Sequence, residues 1–173
     1  MVSWRVGDRS ADTAMVFMND VAARLANRVQ LTTDGYKPYL VAVADAFDGV
    51  PIDYAMLTKL YTDPPTEGHE KRYSSGVCCG ARKDDIRGDP DPKHISTSYV
   101  ERMNLSIRMG MRRFTRLTNA HSKKIENHQH ALALYFMFYN FARIHSTLRV
   151  TPAMEAGVSN HVWSIEEIVG LVN

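Results

Sequence analysis

The feature that most restricts the fold is an alternation of helical and strand-like patterns over the first 61 residues. The predicted elements are, in order, a helix over 11–26, a strand over 29–33, a helix over 36–47 and a strand over 52–61. The first strand alternates apolar and polar residues and stops at Asp34 and Gly35, a carboxylate followed by a turn residue. Pro38 is tolerated in the first turn of the second helix. The last of the four segments favours a strand, and its composition is also compatible with a helix. This order of elements predicts an α/β protein.

The remainder of the chain contains a long irregular stretch and three further helical patterns. Residues 63–97 are rich in proline, glycine and mixed charge, which predicts a loop or an inserted hairpin. The helices are predicted at 97–117, 122–142 and 164–172, the last capped by Ser164. The first should bury one stripe of side chains: Val100, Met103, Ile107, Met111 and Phe114. The second is apolar on every side around residues 131–139 and should be buried.

The charges between residues 102 and 125 have one sign. Glu101 opens the helix predicted at 97–117, and the 24 residues that follow it contain no Asp or Glu. They contain seven basic residues: Arg102, Arg108, Arg112, Arg113, Arg116, Lys123 and Lys124. Exposed helices ordinarily mix signs, because opposite charges pair at spacings of three and four residues. A local cluster of one sign is typical of nucleic-acid binding, and the alternative is a solvated helix surface.

Composition excludes several other classes of protein. The chain has 173 residues, a net charge of +2 and a hydrophobic content of 45%, which fits a globular domain with a core. No apolar run approaches the roughly 18 residues that span a bilayer, so a cytoplasmic protein without membrane contact is predicted. Cys78 and Cys79 are adjacent in the sequence, which excludes a disulfide framework and favours reduced thiols.

Several motifs occur in an order that resembles a known family. A strand ending in Asp34-Gly35, a long interval, and a helix that carries Glu101 and Arg108 are similar to the DDE transposases. The segment from Tyr139 to Ala153, Tyr-Asn-Phe-Ala-Arg-Ile-His-Ser-Thr-Leu-Arg-Val-Thr-Pro-Ala, is similar to the end of many integrase cores. Gly7-Asp-Arg, Thr33-Asp-Gly and Ser-Tyr-Val-Glu-Arg resemble bacterial insertion-sequence transposases of the insertion-sequence-one type. The resemblance covers essentially the whole chain.

The resemblance implies a fold, a partner and a metal site. The implied fold is the ribonuclease H-like integrase core, here a single catalytic-core fragment over residues 1–173 that lacks its first strands. Asp34 matches the second catalytic Asp of the family and Glu101 its Glu, so both are the implied ligands of Mg²⁺ or Mn²⁺. These hard ions prefer oxygen ligands, and two of them support phosphoryl transfer. The implied partner is double-stranded DNA at insertion-sequence ends, held by the seven basic residues, and homo-oligomerisation is left open.

The first catalytic Asp of the family has no counterpart in these residues. Residues 2–6 read as a strand without a preceding turn or cap, and the missing Asp is expected upstream of them. Asp8 and Asp12 belong to a turn and a helix start, so neither replaces it. The sequence therefore predicts a truncated transposase with defective DNA cleavage and strand transfer. One alternative is a non-catalytic DNA-binding protein that competes with a full-length transposase, and another is a remnant that does not fold stably.

Overall fold

The computed structural model describes residues 1–62, 76–115 and 118–171, which form a mixed α/β protein. Its elements are α1 Ala11–Ala23, β1 Gln30–Asp34, α2 Pro38–Ala46, β2 Asp53–Tyr61, β3 Cys78–Arg87, α3 Ser98–Gly110, a 3₁₀ turn Arg112–Phe114, α4 Ile125–Met137, a π-helical turn Phe138–Ala142, α5 Pro152–Glu155 and α6 Ile165–Gly170. In the described part of the chain, no helix has both the length and the apolar character needed to cross a membrane.

The chain divides into two compact units. The sheet unit comprises Gly7–Glu101, and the helical unit comprises Met1–Val6 together with Arg102–Asn173. The sheet unit contains α1, α2 and three strands in the order β1-β2-β3. β1 and β2 pair in parallel through the crossover helix α2, whereas β2 and β3 are antiparallel. The strands predicted at 29–33 and 52–61 and the helices predicted at 11–26 and 36–47 are confirmed, with ends that differ by up to three residues.

One face of this sheet carries the larger core. Tyr54 and Met56 of β2 pack against buried residues of the two helices, among them Met18 of α1 and Val43 of α2. The Ser10 hydroxyl accepts a hydrogen bond from the backbone N–H of Thr13 and so caps α1. The opposite face of β2 is also covered, because Ala55 and Leu57 form a second buried cluster with Ile95. Burial on both faces explains why β2 reads as a continuous apolar run rather than an alternating one.

β3 lies inside the segment predicted as a loop or hairpin. It pairs with β2 over Cys78–Arg87, with register irregularities near both ends of the ladder. Residues 63–75, which complete the first part of that segment, lie outside the described residues. Residues 76–97 therefore contain one strand, β3, which pairs with β2 as the second strand of a hairpin does. Most side chains of β3 are exposed.

The helical unit is built around a separate core. Met111, Leu132, Tyr135 and Phe136 are buried there, and Met1, Trp4 and Val6 pack against them. The prediction of a strand over residues 2–6 is wrong, since this segment has no regular structure. A strand needs a neighbouring strand for its backbone groups, and residues 2–6 have none among the described residues. Instead, the Met1 amino group donates to Asn140 Oδ1 at 2.7 Å, and Asn140 Nδ2 donates to the Met1 carbonyl at 3.0 Å.

The helix predicted at 97–117 is too long. α3 ends at Gly110, and the chain continues through an extended Met111 into the 3₁₀ turn. A Cβ on Gly110 would lie 2.6 Å from the ring of Tyr135, so glycine permits a close approach to α4. The predicted buried stripe is also only partly correct: Met111 is buried, whereas Val100 is 59% exposed.

The two later helices agree better with their predictions. α4 begins at Ile125 and its helical path continues to Ala142, although Leu134 is 62% exposed, so the helix is not buried on every side. α6 begins directly after Ser164, as predicted. A reciprocal capping box explains this start: Ser164 Oγ accepts from the N–H of Glu167, and the Glu167 carboxylate accepts from the N–H of Ser164.

Candidate functional site

The sheet places Asp34 at the carboxyl end of β1, in register with Leu57 of β2. Paired residues of a ladder direct their side chains to the same face, and residues two apart on a strand do the same. Asp34, Leu57 and Lys59 therefore share one face of the sheet. With strands about 4.8 Å apart and about 6.7 Å between alternate residues, the Cα atoms of Asp34 and Lys59 are about 8 Å apart.

Glu101 is connected to this face by an ion pair. Lys59 Nζ donates a hydrogen bond to Glu101 Oε1, and the Thr97 hydroxyl donates to the same oxygen at 2.9 Å. Both partners of the ion pair are partly exposed. The sheet unit thus brings Asp34 and Glu101, the two acids singled out from the sequence, to one face of one sheet, with Lys59 beside Glu101.

The hydrogen bonds from Lys59 and Thr97 lower the pKa of Glu101. The hydrogen bond to Glu101 raises the pKa of Lys59. A carboxyl group whose pKa is lowered by folding stabilises the protein above its unfolded pKa, and this contribution is lost as the pH falls through the lowered value. The Lys59–Glu101 pair is therefore intact at neutral pH and is lost only in acid.

Asp34 has a different environment. Its Oδ1 accepts the backbone N–H of Tyr36 at 3.2 Å, which closes the turn after β1. The next residue, Gly35, lies against Thr58 of β2: a Cβ at this position would be 2.8 Å from Thr58 Oγ1. Gly35 is therefore required for the close approach of this turn to β2, which fixes the position of Asp34.

Lys59 and Thr97 are functional neighbours that the sequence reasoning missed. Lys59 is an isolated cation near the end of an apolar strand. Its spacing of two residues from Leu57 indicates only weakly that both side chains lie on the same face of the sheet. Nothing local indicates that it contacts Glu101, which lies 42 residues away in the sequence. That contact depends on where α3 begins relative to β2.

The basic residues lie in the helical unit and do not share one helix. Arg102 and Arg108 are on α3, Arg112 and Arg113 are in the 3₁₀ turn, and Lys123 and Lys124 precede α4. Arg112 does not continue the helical face of Glu101 and Arg108, because α3 ends at Gly110. Arg116, also predicted to bind DNA, lies outside the described residues. The other six are all exposed and define the basic surface: Arg102, Arg108, Arg112, Arg113, Lys123 and Lys124.

The basic surface has no acidic partner among the residues that the structure describes. Every ion pair between described residues involves other groups, so none neutralises a side chain of this surface. Arg113 is held by neutral oxygens instead: its Nη1 donates to the Ser122 hydroxyl and, at 3.5 Å, to the Asn127 carbonyl. Six exposed cations without paired carboxylates leave a surface that suits a polyanion.

The fold and these sites define a mixed α/β protein with an acidic pair on one face of its sheet and a basic surface in a separate helical unit. Comparisons of the chain with protein-family models, with curated proteins and with solved structures found no match.

Proposed function

We propose that this chain is a DNA-binding core of the DDE transposase type, with a ribonuclease H-like fold and defective strand cleavage and transfer. The observation that carries the proposal is the placement of Asp34 and Glu101 on one face of the same sheet. These acids come from two separate elements, β1 and the first turn of α3, as the convergent carboxylates of such a site must. The order of the parallel β1-α2-β2 crossover is compatible with the same fold.

The side chains that the structure describes do not fit a site for two metal ions. Among the residues that the structure describes, no group of three His, Cys, Asp or Glu side chains is placed to hold a metal. Two carboxylates supply too few oxygen ligands for a pair of Mg²⁺ ions, and the ammonium of Lys59 already neutralises Glu101. Asp8 does not complete the set, because its Oδ1 accepts hydrogen bonds from the Ser10 and Thr13 hydroxyls at the start of α1. The proposed chain therefore binds DNA without cutting it.

We also propose that the partner is double-stranded DNA at insertion-sequence ends and that the protein acts in the cytoplasm. Lys and Arg neutralise phosphates, and the six described cations of the basic surface make no ion pair with a described carboxylate. The Lys59–Glu101 ion pair favours the second candidate function, a non-catalytic DNA-binding protein that competes with a full-length transposase for these ends. The two candidates differ in whether the acidic pair has any part in the activity.

A strand-nicking assay with labelled insertion-sequence ends in Mg²⁺ or Mn²⁺ tests the cleavage defect. The purified chain is expected to bind these ends and to leave them uncut, and Asp34→Asn and Glu101→Gln are expected to change nothing, because the pair alone does not place two ions. Cleavage by the unmodified chain that disappears in Glu101→Gln would contradict the proposal, since it would show that another acid completes the site.

Fusing a strand with the family's first Asp ahead of Met1 should make both substitutions damaging if the chain is a transposase core. Unchanged inactivity of that fusion would favour the non-catalytic competitor.

The Lys59→Met variant tests whether Lys59 competes with a cation for Glu101. Removing the ammonium should raise the affinity of the chain for Mn²⁺ roughly two- to fivefold, the range expected for an exposed ion pair. Free Mn²⁺ can be followed by electron paramagnetic resonance during a titration. Lys93→Met removes an exposed lysine that has no ion-pair partner among the described residues and serves as the control. Equal affinities of Lys59→Met and the unmodified chain would show that Lys59 does not compete with a cation for Glu101.

A further inference from the structure

The helical unit contains an open cavity of about 880 Å³ that lies within the basic surface. Its cationic wall consists of Arg112 and Arg113 from the 3₁₀ turn and Lys123 from the segment before α4. Sites for small ligands typically have volumes of about 300 to 1,000 Å³, so the cavity has the size of a small-molecule site rather than that of a duplex. The described residues of its lining include no acidic side chain.

The floor of the cavity is a single stripe of α4. His130, Ala131 and Leu134 follow Asn127 at spacings of three, four and seven residues, so they lie on one face of the helix. Leu134 is an exposed apolar side chain on this stripe, and the imidazole of His130 is exposed beside it. His121, from the segment before α4, adds a second imidazole to the lining. Apolar side chains and imidazole rings form the kind of surface on which an unpaired base stacks.

Arg113 of the cationic wall is held in place and keeps donors available. Both hydrogen bonds of Arg113 to described residues use Nη1, which leaves its Nε and Nη2 groups without a partner among them. A guanidinium can therefore contact Ser122 and Asn127 and still donate to a phosphate. Lys124 is the N-cap residue of α4, and its side chain makes no capping hydrogen bond. This side chain therefore does not cover the positive end of the helix dipole.

We propose that this cavity binds an unpaired nucleotide of a DNA strand, with its phosphate against Arg112, Arg113 and Lys123 and its base on the α4 stripe. The proposal rests on the proposed DNA binding and adds a single-stranded element to it. A strand is favoured over a free nucleotide because Lys124, adjacent in the chain to Lys123 of the cationic wall, is exposed and offers a second phosphate of the same strand a cation to contact. The predicted substrate is therefore a duplex end that carries a single-stranded overhang.

The test compares two hairpin DNAs with the same duplex, one blunt and one with a three-nucleotide overhang that contains 2-aminopurine. Binding is measured by fluorescence anisotropy at 100 mM salt, and stacking by quenching of the 2-aminopurine. The unmodified chain should bind the overhang hairpin at least about fivefold more tightly than the blunt one, because stacking of even one base contributes that much. The fluorescence of the overhang should fall on binding.

The double variant His130→Ala, Leu134→Gln removes the stacking stripe without changing a formal charge at neutral pH. It should reduce the ratio of overhang to blunt affinity to about one. Val169→Gln is the matched control, since Val169 is a 56% exposed apolar residue on α6 of the same unit. This control should retain the ratio. Circular dichroism of each variant checks that the helices are intact, and the two-hairpin comparison on the unmodified chain does not depend on any variant.

The outcomes separate this inference from the proposed function. Salt-dependent binding of both hairpins with equal affinity would overturn the cavity assignment and leave the binding of double-stranded DNA in place. Binding of the overhang hairpin without binding of the blunt hairpin would support the cavity and overturn the duplex proposal. Absence of binding to any of these DNAs at 50 mM salt would overturn both.

Discussion

Replacing Arg108, Arg112, Arg113 and Arg116 by Ala is expected to remove most of the salt dependence of the proposed DNA binding. Each phosphate contact contributes about 0.9 to the slope of log affinity against log salt, so four contacts contribute about 3.6. Between 50 and 200 mM salt the unmodified chain should lose about 150-fold more affinity than the variant. The measurement is a series of anisotropy titrations with one insertion-sequence end at several salt concentrations.

The control for this prediction removes the same number of charges elsewhere. Arg24, Lys37, Arg82 and Lys93 lie in the sheet unit, outside the basic surface, and their replacement by Ala changes the net charge equally. If the effect depends on position, the control should keep the slope of the unmodified chain. An equal loss of slope in both variants would show that overall charge alone governs binding. An unchanged slope in the four-arginine variant would show that the basic surface is solvated and that DNA binds elsewhere.

Truncation of Tyr54 is expected to have the largest effect on stability. Tyr54 is 1% exposed, lies at the centre of the larger core, and its phenol pairs with the hydroxyl of Thr33 at 2.9 Å. Tyr54→Ala removes a buried ring and leaves a cavity, which costs about 3–5 kcal/mol for a large aromatic residue. Tyr54→Phe keeps the ring and leaves the hydroxyl of Thr33 without its partner, which costs about 1–3 kcal/mol.

Hydrogen exchange of the β1 and β2 amides measures this loss where it arises. Trp4 and Trp163 both belong to the helical unit, so tryptophan fluorescence follows that unit separately. Tyr61→Ala is the matched control, because Tyr61 lies on the same strand and is 57% exposed. Its replacement should change the free energy of unfolding by less than about 0.5 kcal/mol. Similar losses for Tyr54→Ala and Tyr61→Ala would show that the β1–β2 pair is not held by this core.

For the acidic pair, Asp34 and Glu101, the order of motifs in the sequence predicts some features of the site and not others. The position of Asp34 at the end of β1 and that of Glu101 in the first turn of α3 follow from strand alternation and helix periodicity, which are local properties. Their common face depends on the register of β1 against β2, and the neutralisation of Glu101 depends on Lys59, 42 residues before it. Neither relation has a local signal, because residues far apart in sequence meet only after the strands have paired.

The sequence by itself determined most of the elements, the start of α6 at its capping serine, and the concentration of positive charge between residues 102 and 124. These features follow from periodicity, capping and composition, which act over a few residues. The tertiary structure decided that residues 2–6 pack as an irregular segment, that α3 stops where Gly110 meets Tyr135, and that cations from two segments line one cavity over α4. The physical reason is that packing and strand pairing select among conformations that the local sequence permits about equally.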